Sequence, residues 1–230
     1  ITPSENIPID IDETFCVDIG VENSIVMTKS FTTLALISAT FAAMLAEYLF
    51  DRRPQWMQEL DKLSASAEKL LEKEKDIHNV AEDCIVRNIK RFTFLGSGPS
   101  YPIALEAALK VVETSYSATV AYHILEFRHG PLATVGEKQT IFMIIAKDES
   151  FGYSKKLFEE LDARGADMII ISNSHIKGSE RSILIPHVES AEAAALMSII
   201  PLQIFAYFYS IEMGINPDEP RNLVKFVKYF

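Results

Sequence analysis

Three charged residues are spaced so that a helix would bring them onto one face. Glu106, Lys110 and Glu113 stand at positions i, i+4 and i+7 of a predicted helix. Glu106 and Lys110 are interpreted as an ordinary surface ion pair. Glu113 follows two valines near the carboxyl end of the helix, where the helix dipole disfavours a negative charge and so favours proton acceptance. Its type and place make Glu113 a candidate general base.

His129 and Lys225 are two further residues with useful chemistry. His129 precedes a Gly-Pro turn, so its imidazole is expected on a loop, where it could exchange protons near neutral pH. A histidine that only makes a local hydrogen bond in the turn is the alternative. Lys225 follows a proline-bounded segment, residues 216–223. It is either a solvated lysine or, if the aromatic residues after it shield it, an amine that can attack a carbonyl.

A glycine-rich turn, Gly96-Ser97-Gly98-Pro99-Ser100, stands between a predicted strand and a predicted helix. Backbone N–H groups at such a turn can bind a phosphate, since glycines allow close approach and the helix N-terminus attracts anions. The turn lacks the GxGxxG pattern, and a purely structural turn is the alternative. The candidate substrate-binding residues of this turn are Gly96, Ser97, Gly98 and Ser100.

Composition narrows the range of partners. The 22 Lys and Arg residues are outnumbered by 32 Asp and Glu, which gives a formal net charge of −10 and argues against binding to a nucleic-acid backbone. The two cysteines form no CxxC pair, and the histidines show no metal-ligand spacing, so we expect no metal and a cytoplasmic protein. Two uncharged stretches, 30–46 and 193–211, are weighed as membrane spans, and 193–211 is interpreted as a buried helix instead. The first is short for a membrane span, and the second contains Pro201 and Gln203.

Strand and helix patterns alternate along the second half of the chain, which predicts a doubly wound parallel α/β sandwich. The predicted strands are 92–95, 119–122, 141–146, 168–172 and 182–185. Helices are predicted at 103–112, with Leu105, Ala108, Leu109 and Val112 on its apolar face, and at 155–163. Residues 54–83 are predicted to form a solvated helical linker. Its apolar stripe consists of Trp56, Leu60, Leu63, Ala67, Leu70 and Leu71.

The two ends of the chain share a pattern. Residues 1–4 resemble residues 171–174; each is followed by a β-rich run (14–19 and 182–185) and then by a long uncharged helix. We interpret this as an internal duplication whose first copy lacks its first half, the alternative being two unrelated strand-to-helix passages. The predicted divisions are the first, partial domain at 1–53, a linker at 54–83, a second domain at 84–215 and a tail at 216–230.

Together these segments resemble the SIS (sugar isomerase) family, in particular the branch that contains the isomerase domain of glucosamine-6-phosphate synthase. The resembling stretches are 26–33, 94–98, 101–110, 126–132 and 220–225. The resemblance implies two flavodoxin-like SIS sandwiches in tandem, a homodimer with a shared active site, a phosphorylated sugar as substrate, and no cofactor.

The resemblance also implies roles for individual residues. Glu113 would move a proton between C1 and C2 of the open-chain sugar, with Lys110 as its helper. His129 would be the acid and base of ring opening, presented to the neighbouring subunit's site, and Lys225 the amine that meets the ketose carbonyl. Met27, Thr28 and Lys29 would contact the substrate. The family pattern has a serine where Met27 stands and a lysine where Val112 stands, and its main phosphate loop would precede Ile1.

The predicted function is therefore that of a sugar-phosphate aldose/ketose isomerase or an aminosugar-phosphate deaminase, which would convert glucosamine 6-phosphate into fructose 6-phosphate and ammonia. A deglycase that cleaves phosphorylated fructosamine adducts needs the same enolisation and a roomier pocket. A regulator that senses sugar phosphates without catalysis is the third reading. Such a regulator would not need a general base, an imidazole and an amine in the same site.

Overall fold

The structure, a computed structural model, describes residues 16–225. The α-helices are α1 (Lys29–Phe50), α2 (Leu60–Leu71), α3 (Glu74–Val86), α4 (Ser100–Ser115), α5 (Ile124–Phe127), α6 (Phe151–Asp162) and α7 (Ala191–Glu212). Short 3-10 helices occupy Gln55–Glu59 and Pro131–Thr134. The strands are β1 (Arg91–Gly96), β2 (Ala118–His123), β3 (Gln139–Ile145), β4 (Asp167–Ser172) and β5 (Ser182–Leu184).

The five strands form one parallel sheet in the order β2-β1-β3-β4-β5. Every strand predicted between residues 92 and 185 is confirmed, with ends that shift by one or two residues. The predicted α/β fold class is confirmed as well. The strand order reverses between β1 and β3, because β2 is added on one side of β1 and β3 on the other. The carboxyl ends of the strands at such a point are where open α/β sheets usually bind ligands.

Helices cover both faces of the sheet, because successive strand residues point to opposite sides. Phe92 and Phe94 of β1 pack towards α3, α4 and α7, whereas Leu95 packs towards α5 and α6. Phe92, Phe142, Phe205 and Tyr209 form a buried aromatic group between the sheet and α7. Helix α4 lies against this layer, so the residues on its outer edge are held by a rigid support.

The helical region before the sheet is more deeply packed than the sequence indicated. Trp56, Leu63 and Leu70 of the predicted stripe are buried, but Leu71 is exposed, because the next residue along a helix lies about 100° further round and so points away from the face that buries Leu70. Helix α3 buries Ile77, Ala81 and Cys84 in the main core against α7. It also runs through the predicted boundary at residue 83. The description of 54–83 as a solvated linker is therefore wrong for α3.

The apolar face predicted for α4 is not its main buried face. The helix buries the row that contains Ile103, Ala104, Ala107 and Val111, and Leu105, Leu109 and Val112 are half exposed. Ala108 is the only member of the predicted set that is buried. The difference arises because both rows are apolar, so periodicity alone does not say which row faces the sheet.

Helices α1 and α7 have 22 residues each, and both are long and apolar enough to cross a membrane by length and composition alone. The prediction that the first stretch is too short for this is wrong. In α7 67% of the most apolar window is buried, as in the core helix of a soluble protein, whereas in α1 the share is 6%. The absence of a membrane contact stays a prediction.

The predicted β-rich run at 14–19 falls partly outside the described residues, and the repeat at 1–4 lies wholly outside them. From residue 16 onwards it contains an isolated bridge at Cys16 and no strand. The internal duplication stays a prediction.

Candidate active site

The turn from β1 into α4 sets the position of the charged residues on α4. At Gly96 the strand approaches the helix so closely that a Cβ would lie 2.3 Å from the carbonyl oxygen of Ser100, so only glycine fits there. Helix α4 then runs for 16 residues against β1, β2 and α7. At its other end it brings Glu106, Lys110 and Glu113 onto one face, as predicted.

Lys110 lies between two carboxylates. Its Nζ is 2.6 Å from Oε2 of Glu113 and 3.3 Å from Oε1 of Glu106. Lys110 is 3% exposed and Glu106 9%, so the interpretation of these two as a surface pair is wrong. The side chain of Glu113 is 21% exposed, which leaves it the most accessible of the three.

Burial raises the pKa of Glu106, and the nearby ammonium of Lys110 opposes that shift without cancelling it. The negative charge of Glu113 adds to the rise. Sharing one ammonium between two carboxylates partly compensates the cost of burying these charges. The three residues form one group of contacting charges, which we call the Glu-Lys-Glu cluster.

The Glu-Lys-Glu cluster lines a groove of about 470 Å³, which falls in the size range of small-molecule sites, roughly 300–1,000 Å³. Lys225 lines the same groove from the C-terminal segment, and Met27 from the segment before α1. The structure thus brings Glu113, Lys110, Lys225 and Met27 together, from parts of the chain up to 198 residues apart (225−27). Most of the remaining wall is apolar; it is formed by Ile25, Phe31, Leu34, Ala35, Leu109, Leu223 and Val224.

Thr28 and Lys29 do not line this groove. Thr28 lines a smaller cavity of about 110 Å³ that also touches Lys110. The ammonium of Lys29 donates a hydrogen bond to the carbonyl of Val21, 2.8 Å away. The substrate contacts predicted for these two residues stay predictions.

Glu22 organises the segment that carries Met27. Its carboxylate accepts hydrogen bonds from the backbone N–H of Ser30 and the hydroxyl of Thr28, and these bonds at the start of α1 lower the pKa of Glu22 against the opposing effect of burial, the largest single contribution. Its backbone carbonyl accepts a hydrogen bond from Nζ of Lys225. Glu22 is a residue that sequence reasoning missed. The signal was its place shortly before a long helix, where a carboxylate can cap the N-terminus.

The glycine-rich turn follows β1, at the point where the strand order reverses, which is the usual place of a ligand-binding loop. Its surroundings are acidic: Ser97 and Ser150 share a hydrogen bond, and the hydroxyl of Ser150 donates to Asp148 over 2.6 Å. A Cβ on Gly98 would lie 3.3 Å from the other carboxylate oxygen of Asp148. Ser100 is buried and its hydroxyl has no hydrogen-bond partner among the described residues. The carboxylate disfavours a phosphate here, so the role predicted for Gly96, Ser97, Gly98 and Ser100 stays a prediction.

His129 lies away from the groove of its own chain. It follows the short helix α5, its side chain is exposed, and it is not among the residues that line the groove. Gly130 after it adopts a φ of 136°, which confirms the sharp turn. The entry of His129 into a neighbouring subunit's site, and the homodimer that this requires, stay predictions.

One group of possible metal ligands occurs among residues 16–225. It consists of His78, Glu82 and Glu212, where α3 meets α7. Nε2 of His78 is 2.7 Å from Glu212, and its ring stacks on Phe208. None of the three lines the groove, so the chemistry of the groove is considered without them.

The sheet order and the helices on both faces define a flavodoxin-like α/β protein, and its Glu-Lys-Glu cluster lies at a groove of the size of a small-molecule site. Comparison with known proteins identifies the family. The SIS domain matches residues 85–213, and the chain belongs to the SIS family.

Relatives place the chain more closely within the family. A glutamine–fructose-6-phosphate aminotransferase (isomerizing) of Haemophilus ducreyi is 31% identical over 97% of this chain, which spans 38% of that protein. The C-terminal domain of a glucosamine-fructose-6-phosphate aminotransferase of Francisella tularensis superposes with a TM-score of 0.77 at 28% identity, over 87% of this chain and 58% of that one. A glucosamine-6-phosphate deaminase of Thermotoga maritima gives 0.62 at 27% identity, over 90% and 59%.

Proposed function

We propose that this chain carries the catalytic groove of a phosphosugar isomerase or aminosugar-phosphate deaminase, which transfers a proton between C1 and C2 of an open-chain sugar phosphate. Membership of the SIS family and the named relatives support an enzyme of phosphosugar chemistry. The observation that carries the proposal is the Glu-Lys-Glu cluster facing the same groove as Lys225.

Glu113 is the proposed general base. One of its oxygens accepts a hydrogen bond from Lys110, which fixes the side chain, and within residues 16–225 no group donates to the other oxygen. That oxygen is free to take the C2 proton and return it at C1. The ammonium of Lys110 stabilises the negative charge that develops on the enediol oxygen. Glu106, buried behind Lys110, is the second carboxylate that contacts the same ammonium.

Lys225 is the proposed amine of the reaction. Its Nζ adds to the C2 carbonyl of the ketose, water leaves, and a C=N bond forms; hydrolysis reverses the step. In the deaminase direction, proton transfer from C2 to C1 turns the open-chain aminoaldose into a C2 imine, which water hydrolyses to fructose 6-phosphate and ammonia. The held position of Lys225 at the carbonyl of Glu22 places its amine at the rim of the groove.

A specific observation favours a second function, the deglycase. The groove wall around Met27, Phe31 and Leu109 is mainly apolar, and an unsubstituted sugar phosphate has no apolar group that could pack against this wall. An apolar substituent on the amino nitrogen, as in a fructosamine adduct of an apolar amino acid, would pack against it. Relative rates on glucosamine 6-phosphate and on such an adduct separate the two functions.

The test is turnover by the full-length protein. We expect ammonia and fructose 6-phosphate from glucosamine 6-phosphate, and a loss of activity of about 10²- to 10⁴-fold in Glu113→Gln, the usual contribution of a general base. Glu68→Gln, on the exposed face of α2, is the matched control and should keep full activity. Binding of sugar phosphates without turnover, unchanged in Glu113→Gln, would instead support the non-catalytic regulator.

A further inference from the structure

The segment 216–225, which carries Lys225, has few buried contacts of its own. It leaves the end of α7 and returns to the groove, and within it only Pro217 and Pro220 are buried. A lysine at the end of such a segment would sample many positions, because little packing restrains the backbone before it. A lysine that must meet one carbon atom therefore needs tethers elsewhere in the segment.

Tyr116 supplies two of the tethers. Its hydroxyl oxygen accepts a hydrogen bond from the backbone N–H of Arg221 over 2.8 Å. The guanidinium carbon of Arg221 lies 4.2 Å from the centre of the Tyr116 ring, a cation–π contact. The segment is thus held by its backbone and by a side chain at the same residue.

Tyr116 is also the residue that ends α4, three positions after Glu113. Its N–H bonds to the carbonyl of Val112, and its backbone adopts the left-handed conformation with a φ of 58°. Glycine is favoured at such a helix end, and a tyrosine there bears a strain cost. One residue therefore fixes the end of the helix that carries Glu113 and the segment that carries Lys225.

The chain between Arg221 and the groove is short. Asn222 turns it with a φ of 65°, and Leu223 donates a hydrogen bond to the carbonyl of Pro220. Leu223 and Val224 then line the groove beside Lys225. An anchor four residues before Lys225 limits how far its amine can move from the groove.

We propose that Tyr116 and Arg221 are positioning residues, which clamp the segment 216–225 to the end of α4 and so set the place of the Lys225 amine relative to Glu113. The inference rests on the proposed function. The clamp should serve C=N formation by Lys225 and not proton transfer by Glu113, because it restrains the segment while the Glu-Lys-Glu cluster is held by α4 itself.

Two readouts separate the two steps. Deuterium uptake at C1 of fructose 6-phosphate in D₂O reports proton transfer. Cyanoborohydride reports C=N formation, because its hydride reduces the bond between Lys225 and C2 to a stable secondary amine, which mass spectrometry locates on the peptide. The variants are Tyr116→Phe, which keeps the ring and removes the accepting hydroxyl, and Arg221→Ala, with Arg221→Lys as the conservative replacement.

In Tyr116→Phe we expect the trapping rate at Lys225 to fall about fivefold, the effect of one lost hydrogen bond on the positioned population, with deuterium uptake unchanged. Arg221→Ala keeps the backbone hydrogen bond and removes the cation–π contact, so it should lower trapping by about two- to fivefold, and Arg221→Lys should restore part of it. Tyr153→Phe, on the exposed side of α6, is the control and should change neither rate.

Trapping that stays at the wild-type rate in both Tyr116→Phe and Arg221→Ala would overturn the clamp, and so would trapping and uptake that fall together. A wild-type protein that takes up deuterium but gives no adduct at Lys225 would overturn it too. A wild-type protein that shows neither reaction would contradict the proposed function itself and not only the clamp.

Discussion

At the scale of the residue, two acids share one ammonium and differ in burial. Spacing was enough to predict that Glu106, Lys110 and Glu113 share a face, because helical geometry fixes it. Spacing was not enough to predict which acid is buried. Burial depends on segments far away in the chain that close over the helix, such as α7, and no local pattern contains that information.

The raised pKa of Glu106 predicts how stability depends on pH. Its carboxyl binds a proton more tightly in the folded protein than at the unfolded value of 4.5, so its contribution to stability is full below pH 4.5 and is lost as pH rises through the folded pKa. Glu106→Gln removes this dependence. We expect the free energy of unfolding of Glu106→Gln to rise relative to wild type between pH 4 and pH 7 in urea titrations; a constant difference over that range would contradict the shift.

The residues that sequence reasoning missed share a physical feature. Glu22 and Tyr116 both act through hydrogen bonds that involve a backbone group. The Glu22 carboxylate accepts from the N–H of Ser30 and its backbone carbonyl accepts from the ammonium of Lys225, and the Tyr116 hydroxyl accepts from the N–H of Arg221. Such contacts leave no periodic pattern. Both lie next to helix ends, and inspection of helix ends is the general way to find residues of this kind.

At the scale of the element, the parallel strands were predictable because they are buried on both faces. Runs such as Ile141–Ile145 and Met168–Ile171 are apolar throughout, which is typical of a central parallel strand. The depth of α3 was not predictable. Its sequence is rich in charge, yet Ile77, Ala81 and Cys84 on one narrow row suffice to dock it against α7.

Helix α7 has a cap that comes from a distant residue. The buried carboxylate of Glu59 accepts hydrogen bonds from the N–H groups of Glu189 and Ser190 and from the hydroxyl of Ser190. It therefore satisfies donors that would otherwise lack partners at the helix start.

We expect Glu59→Ala to lower the free energy of unfolding by about 2 to 3 kcal/mol, the range for hydrogen bonds to a charged group. Urea unfolding measures the change. Glu68→Ala, exposed on the neighbouring α2, serves as the control and should stay within about 0.5 kcal/mol of wild type. Equal effects of the two substitutions would show that the cap contributes nothing.

At the scale of the whole molecule, the two 22-residue helices differ in how much of their apolar surface is buried. Helix α7 is packed against the sheet, and α1 leaves a broad apolar surface open. The exposed side chains of this surface are Phe41, Met44, Leu45, Tyr48, Leu49 and Phe50. The duplication predicted from sequence, which stays a prediction, would give α1 the place in a first domain that α7 has in the second. The chain spans 38% of the Haemophilus ducreyi relative.

An apolar surface of this kind promotes association in water. We expect a chain of residues 1–230 to associate with rising concentration in sedimentation velocity runs and to bind an apolar dye. The pair Met44→Glu and Leu49→Lys should reduce both effects. The same kind of change at Val86, which is exposed and isolated at the end of α3, should not. A chain that stays monomeric and dye-free at high concentration would contradict this prediction.

The central claim is that the carboxylate of Glu113 moves a proton between C1 and C2. Deuterium uptake into the sugar tests it most directly, because uptake requires proton transfer and needs neither ammonia release nor a particular product. We expect the full-length protein to exchange the C1 hydrogen of fructose 6-phosphate with D₂O, and Glu113→Gln to lose that exchange by at least about 10²-fold. Exchange at the wild-type rate in Glu113→Gln would contradict the account.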